Sequence, residues 1–100
     1  MVIVSGYNVY PREIDEVLYL HMDVSEAASV GISDEYRGEV ICACVELRKG
    51  SKTTSEDLIS FCKEHLASYK VPRRIFLLKE VPKTSVGKID KAVVKKFLAP

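Results

Sequence analysis

Two apolar segments joined by a short polar link constrain the fold more than any other part of the sequence. Residues 24–32 partly alternate between apolar and polar side chains, whereas residues 39–47 are apolar on both faces apart from their glutamates. Only residues 33–38 separate them, and a parallel crossover needs about a dozen residues or more. The two segments are therefore predicted to form an antiparallel hairpin whose second strand lies inside a sheet.

Three amphipathic patterns predict helices that cover this sheet. The first begins at Pro11, which presets a helical turn, and is expected to run to about His21. The second follows Thr54, which forms a capping-box pair with Asp57. The third covers residues 90–98. Its predicted inward-facing side chains are Val93, Val94, Phe97 and Leu98, and its predicted solvated side chains are Lys91, Lys95 and Lys96.

Two further extended stretches complete the predicted fold. Residues 73–79 are expected to form a third strand, because residues 70–72 break the second helix at a proline. Residues 1–10 are expected to form a small hairpin that turns at Gly6. The prediction is one α+β domain over residues 1–100, with a small three-stranded, mainly antiparallel sheet, about three helices and an N-terminal hairpin.

The composition is that of an ordinary soluble protein. It is 47% hydrophobic and 29% charged, and no window nears the ~18 apolar residues of a membrane span. The start resembles no signal peptide, so we expect a cytoplasmic protein. No metal site is predicted, since neither cysteines nor histidines show ligand spacing. We expect Cys42, Cys44 and Cys62 to be buried, and His21 and His65 to meet the carbonyls that end helices.

Charge is distributed unevenly along the chain. Residues 1–50 carry four Lys or Arg against nine Asp or Glu, whereas residues 51–100 carry eleven against five. If the basic side chains share one face, they create a positive field that suits an anionic partner. If they do not, they only solvate the surface of a helix and of the loops. The sequence leaves both explanations open.

The stretch PKTSVGKIDK, residues 82–91, is predicted to be a loop that presents one lysine. Gly87 tolerates a positive φ, and Lys88 follows it directly. An ammonium at a flexible tip can approach a crowded anion such as a phosphate. Taken alone, the stretch favours a solvated turn lysine, because it lacks the G-x-x-x-x-G-K-[ST] frame of a nucleotide-binding loop. The flanking Lys83 and Lys91 are expected to be solvated.

A second stretch changes that interpretation. Residues 4–15 read VSGYNVYPREID, and residues 70–72, KVP, lie between the two stretches. These three motifs, in this order, resemble the C-terminal domain of adenylate-forming enzymes, a family that includes acyl-CoA synthetases, firefly luciferase and the adenylation domains of peptide synthetases. The resemblance covers nearly the whole chain. Its form is most similar to a fatty or aryl acyl-CoA ligase.

The resemblance implies a mobile domain that serves two reactions. Such ligases join a carboxylate to AMP, releasing pyrophosphate, and then pass the acyl group to the thiol of CoA, with rotation of this domain in between. Matching G-K-[IV] to the sequence assigns the catalytic lysine of the first step to Lys88. Glu13 matches a motif acid, although it is equally explained as a first-turn helix acid. The implied nucleotide and CoA contacts are Ser5, Gly6 and Tyr7, followed by Lys70, Arg73 and Arg74.

The resemblance also implies which parts must come from elsewhere. An N-terminal adenylation domain, absent here, would hold ATP, Mg²⁺ and the carboxylic acid, so this chain is expected to be a fragment or a separately encoded half that is inactive alone. The alternative is a free-standing module that binds an anionic partner such as CoA, RNA or an acidic protein. It lacks the interleaved aromatic residues typical of single-strand binders. A purely structural or regulatory homologue is a third possibility.

Overall fold

The computed structural model describes residues 1–99 and confirms the predicted α+β class. Over that range it contains five strands and three α-helices, with one turn of 3₁₀ helix at Ser68–Lys70. The strands are β1 (Val2–Val4), β2 (Tyr7–Val9), β3 (Val24–Asp34), β4 (Gly38–Leu47) and β5 (Arg74–Leu78). The helices are α1 (Pro11–Tyr19), α2 (Ser55–His65) and α3 (Lys91–Leu98).

The sheet is built around β4. Strands β3 and β4 pair antiparallel from Val24 opposite Leu47 to Asp34 opposite Gly38, which confirms the predicted hairpin. Strand β5 pairs with the other side of β4 in parallel. The described part of the chain has five strands rather than the predicted three, because the confirmed N-terminal hairpin of β1 and β2 joins β4 where Val4 lies opposite Gly38.

The two faces of this sheet carry different layers. Helices α1 and α2 pack on one face, through buried side chains that include Ile14 and Leu58. Helix α3 packs on the other face through Val94, next to Val81 and the partly buried Ile89. Because residues 81 and 89 bracket the lysine loop, that loop lies on the α3 face.

The helices differ from the predictions mainly at their ends and edges. Helix α1 stops at Tyr19 rather than near His21, whose ring nitrogen accepts from the Asp23 N–H at 3.1 Å instead of meeting a helix carbonyl. The inward direction predicted for two α3 side chains is wrong, since Val93 is 45% exposed and Phe97 is 63% exposed. A helix of eight residues covers only a narrow strip of the sheet. Within residues 1–99, no helix is long and apolar enough to cross a bilayer.

Local sequence signals were more reliable where both partners are close in the chain. The Thr54 hydroxyl accepts from the Asp57 N–H at 3.1 Å, and the Asp57 carboxylate accepts from the Thr54 N–H at 3.0 Å. That second bond, from the backbone of Thr54, lowers the pKa of Asp57. The predicted capping box is therefore confirmed. His65 also contacts the Phe61 carbonyl at 2.9 Å, as expected for a histidine at a helix end.

The cysteines are buried and free, as predicted. Burial raises the pKa of Cys44 and of Cys62 to about 11. It also raises the pKa of Cys42. All three thiols are thus protonated at neutral pH and act as small apolar side chains in the two cores.

Candidate functional site

The lysine loop is a small, main-chain-bonded hairpin. Lys83 and Ile89 form an isolated antiparallel bridge, and the Thr84 N–H donates to the Lys88 carbonyl at 2.6 Å. The Gly87 N–H donates to the Thr84 carbonyl at 3.0 Å, and Gly87 has φ +84°. The expected positive φ is therefore confirmed, and backbone bonds rather than side chains fix the shape of the turn.

Lys88 extends from the tip of this loop. Residues 83–88 are all exposed, and Ile89 is the first residue after them that is partly buried. Among residues 1–99, no carboxylate lies within ion-pair distance of the Lys88 ammonium. This cation is therefore available to an anion that approaches the α3 face.

The two flanking lysines differ from Lys88 in this respect. The Lys83 ammonium lies 3.5 Å from Glu26, and the Lys91 ammonium lies 2.5 Å from Asp15. Both side chains remain partly exposed, as expected, but each also forms an ion pair that the sequence did not predict. Each ties one end of the loop to the body of the domain. Within residues 1–99, the loop therefore presents one lysine without an ion pair between two paired ones.

The glycine motif forms the tight turn of the N-terminal hairpin. Ser5 has φ +49° and Gly6 has φ +86°, and a Cβ added at Gly6 would meet no atom within 4 Å. Tyr7, which follows, stacks on Tyr69 with ring centroids 4.4 Å apart and an interplanar angle of 21°. The turn is thus held from one side by an aromatic pair and is open on the other.

Lys70 is already engaged within the domain. Its ammonium donates to both carboxylate oxygens of Glu13, at 2.9 and 3.1 Å, and lies 5.7 Å from the centre of the Tyr69 ring. The hydrogen bond to Glu13 raises the pKa of Lys70. Glu13 is therefore both a first-turn acid of α1 and the partner of a motif lysine. These contacts bring Tyr7, Tyr69, Lys70 and Glu13 together on the α1 face.

Arg73 does not belong to that cluster. Its N–H donates to the Ile41 carbonyl at 2.8 Å, and it borders a hollow of about 310 Å³ with Arg74, Phe76 and Leu98. The Tyr36 N–H lowers the pKa of Asp34 in this hollow, and Arg37 and Arg73 lower it further. The predicted CoA contacts therefore separate into a group around Lys70 and a group around Arg73.

Ion pairing weakens any positive field that the basic second half of the chain could create. Lys70, Lys83 and Lys91 each contact a carboxylate of the acidic first half of the chain. Ion pairs between the two halves of the chain thus neutralise part of the positive charge of the second half. In the part of the chain that the structure describes, no three His, Cys, Asp or Glu side chains cluster to hold a metal ion.

Sequence analysis missed three residues of these sites. Tyr69 is adjacent to a motif lysine, and that adjacency was the signal that could have identified it. Asp15 ends the first motif and Ser29 lies in a predicted strand, and neither was assigned a role, yet the Asp15 carboxylate accepts from the Ser29 N–H at 2.6 Å and from its hydroxyl at 2.7 Å. Their contacts join segments far apart in the chain, which local patterns do not reveal.

Known proteins with a similar sequence share this domain. A family model described as the AMP-binding enzyme C-terminal domain matches residues 13–88. The long-chain-fatty-acid–CoA ligase of Bacillus subtilis (strain 168) is 48% identical over 89% of this chain and 16% of that ligase. The oxalate–CoA ligase of Arabidopsis thaliana is 44% identical over 90% of this chain and 18% of that protein.

Solved structures with the same fold include further synthetases. A Mycobacterium tuberculosis fatty acyl CoA synthetase matches with a TM-score of 0.91 and 33% identity, over 100% of this chain and 20% of its own. The amide bond synthetase McbA from Marinactinospora thermotolerans matches with a TM-score of 0.93 and 38% identity, over 99% of this chain and 20% of its own. The chain thus spans about a fifth or less of each of these four proteins.

Proposed function

Because the chain belongs to the family of AMP-binding enzyme C-terminal domains, we propose that it is the mobile C-terminal domain of an acyl-CoA synthetase. The complete enzyme makes acyl-CoA, AMP and pyrophosphate from ATP, a carboxylic acid and CoA. Relatives named as long-chain-fatty-acid and medium-chain acyl-CoA ligases support this reaction class. An oxalate ligase among them leaves the acid open.

One observation carries the proposal: the unpaired lysine and the glycine turn lie on opposite faces of one sheet. Lys88 extends from a loop packed on the α3 face, through Val81 and Ile89. Gly6 turns a hairpin packed on the α1 face, where Tyr69 is partly buried. A domain that rotates between two reactions needs two such surfaces, one for each reaction.

In the first reaction, Lys88 stabilises charge. Attack of a carboxylate on the α-phosphate of ATP brings two anions together, and a fixed ammonium lowers the barrier to that approach. The positive φ of Gly87 lets the loop turn sharply, which places the lysine at its tip. Lys88 acts as a cation throughout and transfers no proton.

In the second reaction, the hairpin face meets the nucleotide and the thiol. Gly6 leaves open space beside its own backbone, so the thiol-bearing arm of CoA can pass close to the turn. Ser5 and Tyr7 border that path. Lys70 contributes less charge to the CoA phosphates than the sequence suggested, since Glu13 already binds it. Arg73 and Arg74 form no ion pair within residues 1–99, so they are the freer cations.

The remaining machinery is assigned to an N-terminal adenylation domain of the same enzyme. That domain would hold the adenine, the acyl chain and the Mg²⁺ that accompanies ATP, because residues 1–99 offer no cluster of metal ligands. The 100-residue chain alone is then expected to make no acyl-adenylate. The cytoplasmic location expected from the sequence stays a prediction. A free-standing module for RNA or an acidic partner is not favoured, since Lys70, Lys83 and Lys91 are paired.

The decisive experiment compares the two reactions in the complete enzyme carrying Lys88→Ala. Adenylation, followed by pyrophosphate release, is expected to fall by ~10² to 10³, which is the usual effect of losing one electrostatic donor. Thioester formation from supplied acyl-AMP should continue at the normal rate, because the lysine loop then faces away.

The matched control is Lys83→Ala, which removes an ammonium from the same loop. Its ion pair with Glu26 is longer, at 3.5 Å, and Glu26 is more exposed than Asp15, the partner of Lys91, so this contact holds the loop weakly and adenylation should stay within a few-fold of normal. Normal adenylation by Lys88→Ala, or a crippled Lys83→Ala enzyme, contradicts the assignment of the catalytic lysine.

A further inference from the structure

Asp15 of α1 is the centre of a small polar network. One of its carboxylate oxygens accepts from the Ser29 N–H at 2.6 Å and lies 2.7 Å from the Ser29 hydroxyl. The hydroxyl also lies 2.8 Å from the Pro11 carbonyl, so its one hydrogen serves two acceptors. The other carboxylate oxygen accepts from the Lys91 ammonium at 2.5 Å. The Asp15 side chain is 13% exposed, whereas that of Lys91 is 43% exposed.

This network wraps around the edge of the sheet. Within residues 1–99, β3 pairs with β4 on one side and with no strand on the other. The Ser29 N–H lies on that outer side and donates to Asp15 instead of to a neighbouring strand. Asp15 stands on the α1 face, and Lys91 begins the helix on the α3 face. The ion pair therefore joins the two helical layers directly.

Of the two ion-paired lysines that flank Lys88, Lys91 is the nearer in the chain. It lies three residues after Lys88 and starts α3, whose first turn is capped by the Asp90 carboxylate accepting from the Val93 N–H at 3.2 Å. The Asp90 N–H donates to the Pro82 carbonyl at 2.9 Å and closes the loop at its base. The tip has no buried side chain of its own, so contacts at its base set its direction.

We propose that Asp15 and Lys91 are positioning residues that aim the lysine loop for the adenylation reaction. The proposal rests on the function assigned to Lys88 above. A carboxylate fixed by the buried Ser29 holds the Lys91 ammonium, and Lys91 in turn holds the start of α3 and the base of the loop. A displacement of about 1 Å at a reacting group can reduce a rate by ~10²-fold. The position of Lys88 therefore depends on a salt bridge at the β3 edge of the sheet.

The test measures both reactions in the complete enzyme with Lys91→Gln, Asp15→Asn and the double variant. Each single variant is expected to slow adenylation by about 10- to 100-fold and to leave thioester formation from acyl-AMP unchanged. The double variant should be no slower than either single one, because all three break the same contact. Lys91→Arg, which keeps the cation, should restore most of the rate. Lys95→Gln removes an exposed lysine from the same helix and serves as the unaffected control.

Several outcomes overturn the proposal. If Lys91 acted on the phosphates itself, Asp15→Asn would release it and leave adenylation normal or faster. If the pair were only structural, both reactions would fall together with the melting temperature. Should Asp15→Asn fail to fold, Lys91→Gln still decides, because it leaves the bonds between Asp15 and Ser29 in place. Lys88→Ala is measured alongside: a normal rate there refutes the proposed function, whereas a slow Lys88→Ala with a normal Lys91→Gln refutes the positioning role alone.

Discussion

The glycine hairpin and the lysine loop both turn at a glycine with positive φ, but they are held at different places. Both turn at a glycine with nearly the same dihedral angle, φ +86° at Gly6 and φ +84° at Gly87. The hairpin is fastened at its turn, where Tyr7 stacks on Tyr69. The loop is fastened at its base, by ion pairs of Lys83 and Lys91, and its tip is free.

This difference matches the tasks proposed for the two regions. A surface that lines a path for a thiol must hold its shape, and aromatic stacking beside the turn provides that rigidity. A cation that enters an active site on another domain must extend beyond the surface and have no partner of its own. Changes in the hairpin that spare the loop should therefore slow the second reaction more than the first.

The largest effect on stability is expected from Gly31→Ala in β3. A Cβ there would lie 2.6 Å from one methyl carbon of Val2 and 2.9 Å from the other. Since Val2 belongs to β1, the added methyl group pushes the hairpin away from the sheet. We expect the free energy of unfolding to fall by about 1–3 kcal/mol, and thioester formation to slow more than adenylation. Denaturant unfolding and the two half-reaction rates measure these changes.

The control for this prediction is the double variant Val2→Ala with Gly31→Ala. Removing the two Val2 methyl groups provides room for the new one, so the double variant should be more stable than the sum of the single effects indicates. Strict additivity would show that the cost of Gly31→Ala does not arise from contact with β1.

The same contrast explains which features the sequence could predict. The β3–β4 hairpin and the capping box of α2 join residues close in the chain, and turn length and side-chain spacing were sufficient to predict them. The pairing of Lys91 with Asp15 spans 76 positions, and that of Lys83 with Glu26 also joins segments that are far apart in the chain. No local pattern records such contacts, so both lysines were predicted to be solvated.

The spacing of apolar residues mispredicted two features for a related reason: the buried face of α3 and the number of strands in the sheet. Helical spacing predicted that Val93 and Phe97 face inward, but only Val94 of that helix is fully buried in the described residues. How wide a strip a helix covers depends on the sheet beneath it. The joining of β1 to β4 rests on one residue pair, Val4 with Gly38, which spacing alone does not reveal. The roles of the glycine and lysine motifs were assigned by resemblance, and they stay predictions.

A smaller effect is expected from Tyr7→Ala, which removes the aromatic stack at the hairpin turn. The free energy of unfolding should fall by about 1 kcal/mol more than the loss of buried apolar area alone explains. The substitution should again slow thioester formation more than adenylation. The matched control is Tyr10→Ala. Tyr10 is 56% exposed, close to the 55% of Tyr7, and has no stacked ring in the described part of the chain. Equal losses of stability from the two variants would show that the stack contributes nothing specific.

The smallest effect concerns pH and the bond between Lys70 and Glu13. The pKa of Lys70 is raised above its ordinary value of 10.5, chiefly by this hydrogen bond, so the bond stabilises the fold fully below that pH. Its contribution is lost as the pH rises through the raised pKa. Glu13→Gln should therefore be slightly less stable than the parent near neutral pH, and the difference should vanish in more alkaline solution. Thermal unfolding across that range detects the change.

Glu16→Gln is the control for the pH series. Its partner Arg12 lies 3.5 Å away, and their side chains are 90% and 69% exposed, so little stability is at stake. A guanidinium also keeps its charge throughout the range, and no pH dependence is expected. A difference for Glu13→Gln that persists unchanged in strong alkali would show that charge on Lys70 is not its source.

Three glycines allow the separate roles of the two faces to be tested with matched variants. Gly6, Gly50 and Gly87 have φ of +86°, +85° and +84°, and at each of them an added Cβ would meet nothing within 4 Å. Substituting leucine at each position therefore imposes the same kind of backbone strain, at the hairpin turn, in an unrelated loop and in the lysine loop respectively. Differences among the three in catalysis then report location rather than stability.

The most direct measurement is the ratio of adenylation to thioester formation in the complete enzyme carrying each leucine variant. If each face of the sheet serves one reaction, Gly6→Leu should slow thioester formation selectively and Gly87→Leu should slow adenylation selectively. Gly50→Leu should leave the ratio at its normal value. If Gly6→Leu and Gly87→Leu slow the same reaction, or all three lower both reactions equally, the two faces of this domain do not serve separate steps.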